Sequence, residues 1–329
     1  MIQGVEMAQV EMLLRQGRHG DAARILITLA AGGDAPACAT LAQWRIAGNI
    51  VRRDLAAARA LLGRAAAAGD VGAALLHASF LAAGVGGPAD WKAARSALTV
   101  LATKHPAARD QLRLLDQMAL DGDGSPLNVA SGRLLAEAPH AMIFKGFATP
   151  AECTYLRTKI EAALAPSTVI DPASGRMIPH PIRSSDGAIF GVYDEDLVVN
   201  AINRRIAEAS NTQPSQGEPL QMLRYRRGGE YRAHLDALPA GEIQRVLTFI
   251  IYLSDKYTGG ETIFPRANLS FRGRTGDAIL FRNVTAEGRP DPLALHAGLP
   301  VRSGEKLIAT RWIRQHTFTY PPPSPLINI

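Results

Sequence analysis

The segment RYRRGGEYRAHLDALP (residues 224–239) decides the reading of this chain. In an extended strand the side chains at i and i+2 point to one face, so His234 and Asp236 set an imidazole beside a carboxylate and can grip one metal ion. Alone, H-x-D is a weak signal that a solvated surface pair also produces. A second segment, LALHAGLPVRSGEKLIATRWIR (293–314), strengthens it by placing His296 sixty residues after Asp236 and Lys306 ten residues further on, in what reads as the next strand.

Around these residues lie short β-branched and aromatic runs: LQMLRY (220–225), VLTFIIYL (246–253), AILF (278–281) and LIATRWI (307–313). Upstream, FATPAECTYLRTKIEAAL (147–164) opens with a Thr-Pro-x-Glu helix start and carries Cys153, Leu156, Ile160 and Leu164 at helical spacing; VVNAINRRIAEAS (198–210) has the same period. Helices followed by many short strands predict a β-sandwich or barrel backed by helices.

The N-terminal third has another character. Only Trp44, Phe80 and Trp91 of the 19 aromatics precede residue 119, and Ala, Leu and Arg dominate, so this part should be all-helical. Asp34 and Asp70, Asp54 and Asp90, Ala58 and Ala94, and Leu62 and Leu98 are each 36 residues apart. A period in the thirties with small residues at fixed offsets predicts stacked helix pairs, hence an α-solenoid over 1–118. DGDGSP (121–126) marks a linker, placed at 119–130, and a second domain follows over 131–329. GVGG (84–87) lacks the Lys-Ser/Thr of a phosphate loop and reads as a turn of the repeat.

Composition excludes several classes. With 329 residues, 47% hydrophobic and 20% charged, the chain is neither disordered nor low-complexity and is long enough for two domains. The net charge of +6 comes from 13 basic against 9 acidic residues in 1–118 and 23 against 21 in 119–329, which argues against nucleic acid at the metal-bearing part. Cys38 and Cys153 are too few for a disulfide scaffold or a structural zinc site. No apolar run suggests a membrane span and no signal peptide is evident, so a cytoplasmic protein without membrane association is expected.

Two histidines and one carboxylate with open coordination positions form the ligand set of non-heme Fe(II) oxygenases. A lysine facing an apolar barrel there offsets the cost of burying the distal carboxylate of 2-oxoglutarate. At this point EPLQMLRY, YRAHLD, QRVLTFIIYLSD, YTGGETIFP, GDAILF, LHAGLPV and GEKLIATRWIR together make residues 139–316 resemble the prolyl 4-hydroxylase-type Fe(II)/2-oxoglutarate dioxygenases. The helical part resembles Sel-like, tetratricopeptide-related repeats through A-A-G-D and D-x-x-A-A-R. The resemblance implies a double-stranded β-helix (jelly-roll) domain after the solenoid.

The same resemblance implies His234, Asp236 and His296 as iron ligands, with Lys306, Tyr225 and Thr262 on the cosubstrate and Tyr231, Arg245 and Trp312 on a peptide substrate. No catalytic side chain is implied beyond the iron centre. Fe(II), 2-oxoglutarate and O2 would be cofactors, with ascorbate as an accessory. The implied reaction is hydroxylation of a protein or peptide side chain, peptidyl proline first, with the solenoid as a docking surface. Two departures stand out: Leu307 replaces a Trp common after the lysine, and the stretch from Asp236 to Arg245 is short. Three other readings stay open: a related oxygenase acting on nucleic acid, one acting on a small molecule, and a helical-repeat binding protein with a vestigial oxygenase domain.

Overall fold

Among the residues described by the computed structural model (2–170, 174, 176–239, 243–319 and 326), seven helices precede the first strand, and the repeat explains where they start. Asp34, Asp54, Asp70 and Asp90 cap the helices Ala35–Ala47, Leu55–Ala67, Val71–Ala83 and Trp91–Ala102. Each carboxylate accepts the backbone amide three residues on, at 2.7–2.9 Å, satisfying a donor that the helix itself leaves open. Ala37, Ala58 and Ala94 are fully buried where helices approach, and helices pack mainly on their chain neighbours, as in a solenoid. The GVGG glycines are turn residues. Gly84 ends its helix in the left-handed region, and a Cβ on Gly86 would clash with the Leu55 carbonyl oxygen. Asp70→Ala should cost about 1 kcal/mol of stability, read from urea unfolding of the full chain.

Contacts divide the chain into two units. One runs to Ser125 and includes Glu195–Ala201; the other comprises Pro126–Asp194 and Ile202–Phe318, so the division is not contiguous in sequence. Among the described residues, no helix is long and apolar enough to cross a membrane.

The second unit is built on antiparallel sheets. The larger has the order Arg133–Ala136, Ala141–Phe144, Ala278–Arg282, Arg245–Tyr252, Lys306–Arg314, Gln221–Tyr225, Asp186–Ile189, Ala165–Pro166. The smaller runs Leu269–Phe271, Thr262–Phe264, His296–Gly298, Tyr231–His234. Side chains from both sheets, including Leu223, Ile250, Tyr252, Phe264, Phe281 and Ile308, form one buried cluster. The expected Thr-Pro-x-Glu start is a complete capping box on helix Pro150–Ile160, where Thr149 and Glu152 bond each other's backbone amides. Glu152 is also held bidentately by Arg205 at 2.8 Å.

Register then positions the chemistry. His296 lies opposite His234 on neighbouring strands of the smaller sheet, while Lys306 lies opposite Tyr225 in the larger one.

Candidate metal centre and cosubstrate pocket

The pleat delivers what the H-x-D spacing predicts. His234 Nε2 and His296 Nε2 each lie 3.6 Å from an Asp236 carboxylate oxygen, and one ligand atom from each of the three falls within 4.8 Å of the others. Their side chains are at most 9% exposed. The tautomers follow from the backbone: His234 Nδ1 sits 2.8 Å from the Arg232 carbonyl and His296 Nδ1 3.0 Å from the Ala294 carbonyl. A carbonyl only accepts, so both Nδ1 atoms carry the proton and both Nε2 lone pairs face the shared centre. Ring packing fixes their aim. Tyr231 stacks on His234 at 3.5 Å, and His296 has Phe281 and Phe264 at 4.7 and 5.7 Å.

Electrostatics point the same way. Burial pushes the His296 pKa down to about 4, so its ring is neutral near pH 7 and able to ligate. For Asp236 burial works upward, but His296, His234 and the Thr248 hydroxyl outweigh it and hold the carboxyl below its ordinary range. Thr248 Oγ1 donates to Asp236 Oδ2 at 2.7 Å and accepts from Asn283 Nδ2 at 2.9 Å, with both residues fully buried. This relay fixes the carboxylate from behind. Thr248→Val keeps the shape but removes the donor, and should weaken iron binding by about 10–100-fold, read by titrating iron against succinate formation.

Lys306 is buried, and burial pushes its pKa down to about 8, while the nearby Glu261 acts in the opposite sense. Its Nζ donates to the Gly260 carbonyl at 2.8 Å, its one hydrogen-bond acceptor among the described residues, which leaves donor capacity for a ligand. The pocket, about 400 Å³ with its open mouth, is lined by Tyr225, Tyr231, His234, Asp236, Thr262, His296, Lys306 and Trp312, eight of the nine residues expected at the site. A cluster of two imidazoles and a carboxylate, with a buried cation in the same cavity, fits a divalent iron and a dicarboxylate cosubstrate.

The expected roles differ in detail. Tyr225 is fully buried, with its hydroxyl pKa pushed up by that burial, and the Thr262 hydroxyl is paired with Tyr252 at 2.8 Å. Arg245 is absent from the pocket wall: Glu218 holds its guanidinium bidentately at 2.6 and 2.9 Å, and its Cζ lies 3.9 Å from the Trp312 ring centre. Arg245 therefore braces Trp312. Leu307 is buried on the strand face opposite Lys306, away from the pocket. Of the short stretch from Asp236 to Arg245, residues 240–242 lie outside the described residues.

Sequence reasoning missed Thr248, Asn283, Tyr252, Glu218 and Thr310. Thr310 had a signal: residues 306, 308, 310 and 312 share one strand face, and all four line the pocket. Its Oγ1, like Trp312 Nε1, is buried without a hydrogen-bond partner among the described residues.

Such a sheet fold with this centre defines an Fe(II)/2-oxoglutarate oxygenase. Residues 220–314 match the 2OG-Fe(II) oxygenase superfamily. Prolyl 4-hydroxylase 1 of Arabidopsis thaliana is 33% identical over 226 residues, spanning 62% of this chain and 80% of the relative. Probable prolyl 4-hydroxylase 4 of the same plant is 32% identical over 220 residues, spanning 58% and 73%. Among solved structures, the viral collagen prolyl hydroxylase of Paramecium Bursaria Chlorella virus-1 in its 2OG complex is 28% identical, with coverage of 55% and 98% and a TM-score of 0.44. A Sel1 repeat protein from Oxalobacter formigenes is 23% identical, with coverage of 33% and 86% and a TM-score of 0.31. By its likeness to the plant enzymes, the chain belongs to the prolyl 4-hydroxylase family of 2-oxoglutarate-dependent dioxygenases, which work with Fe(II), 2-oxoglutarate and O2.

Proposed function

We propose that this protein hydroxylates a proline side chain within a protein or peptide. The observation that carries the reading is the convergence of His234, Asp236, His296 and Lys306 on one pocket in a chain related to prolyl 4-hydroxylases. In this reading the first three hold Fe(II), and Lys306 pairs with the distal carboxylate of 2-oxoglutarate, with Tyr225 and Thr262 beside it. Bound iron would supply the oxidation: 2-oxoglutarate loses carbon dioxide to give succinate, and of the two oxygen atoms of O2 one enters the succinate and the other the hydroxyl group of the product proline.

The chain's own residues do the rest. The Nδ1–H bonds keep both imidazoles in the ligating tautomer, and Thr248 keeps Asp236 turned toward them. The apolar walls, Leu223, Ile250 and Ile308, exclude water from the reacting centre. Tyr231 and Trp312 border the space left for the substrate, and the unpartnered Trp312 Nε1–H and Thr310 hydroxyl suit a polar group such as a peptide carbonyl.

The two sheets are read as the faces of a double-stranded β-helix, the helical repeats as a docking surface for the protein substrate, and ascorbate as an accessory reductant. Two buried, unpaired cysteines suit a cytoplasmic setting. The test is to incubate the Fe(II)-loaded full chain with 2-oxoglutarate and proline-containing peptides, following succinate and the mass gain of one oxygen. Succinate no higher than in a His234→Ala control, with every peptide tried, would sink the reading.

A further inference from the structure

Next to the pocket runs an arginine-rich groove of about 950 Å³ including its open side, whose wall includes His180, Arg183, Arg224, Arg226 and Arg227, with Asp186 as its one carboxylate among the described residues. Tyr231 joins the two cavities. It lines the pocket, its ring centre lies 5.2 Å from the Arg183 guanidinium carbon, and the His180 ring meets it edge-on at 5.5 Å. A chain leaving the pocket past Tyr231 therefore enters the groove.

The charges there are unequally satisfied. Asp186 pairs with Arg224 at 2.9 Å and with Arg226 at 3.2 Å, while Glu161 approaches Arg224 at 4.0 Å and Glu305 approaches Arg226 at 3.7 Å. Arg183 and Arg227 have no carboxylate partner among the described residues, and Arg183 Nε is buried without an acceptor. A buried guanidinium N–H with nothing to bond is an open site for an anionic oxygen.

We propose that this groove binds acidic residues flanking the hydroxylated one, so that the enzyme selects acidic peptide segments; the proposal rests on the peptide reading above. The planar fork of an arginine matches a carboxylate bidentately, and Arg183 and Arg227 offer two such forks. Nucleic acid fits less well. Among the described residues the groove wall contains no Phe, Tyr or Trp on which bases could stack, and Asp186 would face the phosphates.

The test measures binding and turnover separately on the Fe(II)-loaded full chain with 2-oxoglutarate under anaerobic conditions. Fluorescence anisotropy compares a proline peptide flanked on both sides by Glu pairs with its Gln counterpart, with a single-stranded oligonucleotide as competitor. The Glu peptide is expected to bind about tenfold more tightly, with the gap shrinking at high salt and closing in Arg227→Glu and in Arg183→Gln. Equal binding of the two peptides overturns the proposal, as does a preference that survives both substitutions or displacement by the oligonucleotide at lower concentration. Admitting oxygen then reads hydroxylation. Glu-selective binding without hydroxylation leaves the groove assignment standing and removes the proline assignment, whereas hydroxylation without selectivity does the reverse.

Discussion

Asp236→Ala is expected to lower succinate formation by at least about a thousandfold while leaving the circular dichroism of the protein unchanged. The carboxylate is the only anion among the three converging ligands, so its loss leaves two imidazoles, which bring no negative charge, to hold a dication. It also removes the close acceptor of the buried Thr248 hydroxyl at 2.7 Å, leaving it only Asn283 Oδ1 at 3.3 Å. Asp236→Asn separates these effects, because an amide oxygen can still accept from Thr248 but brings no charge. Iron content after desalting should fall in both variants. If the Asn variant retained wild-type iron, the negative charge would not be what secures the metal. Retained turnover in the Ala variant would place the metal elsewhere.

What the sequence made legible follows from local geometry. His234 and Asp236 are two apart on an extended segment, and the Lys306 face repeats every second residue, so strand alternation alone brings each set to one side. The 36-residue period was equally readable, because an aspartate that caps a helix leaves its mark in the next repeat at the same offset. The unread features are those that depend on pairing between distant strands. Thr248 sits in an apolar run, and nothing local says that Asp236 lies 12 residues back on one side of it and Asn283 35 residues ahead on the other. Arg245 had the right residue type for a substrate contact, but its Nε and Nη2 are held by Glu218, 27 residues upstream. A buried charge is used by whichever partner the register brings to it, and register between non-adjacent segments is not written in a short window.

Lys306→Met should raise the KM for 2-oxoglutarate by about 100-fold or more, since removing one partner of a buried ion pair costs about 3–5 kcal/mol. The methionine keeps the length and the apolar packing and loses only the charge. The pH dependence identifies the same group. Burial lowers the Lys306 pKa to about 8, so the empty enzyme holds the ammonium below that pH and loses it as pH rises through it. A bound carboxylate favours the charged form, so cosubstrate binding raises the lysine's pKa, and above pH 8 it must take up a proton. Calorimetry in two buffers of different ionisation enthalpy should therefore show proton uptake near pH 9 and none near pH 6.5, with affinity falling between the two. Unfolding of the empty protein carries the complementary sign. The exposed lysine of the unfolded chain keeps its proton up to about pH 10.5, so the unfolded state binds more protons between pH 8 and 10.5 and folded stability rises across that window, by up to ~3 kcal/mol. Lys306→Met should abolish the proton uptake and flatten this rise together. Uptake that persisted in the variant would assign the titration to another group and remove Lys306 from the cosubstrate.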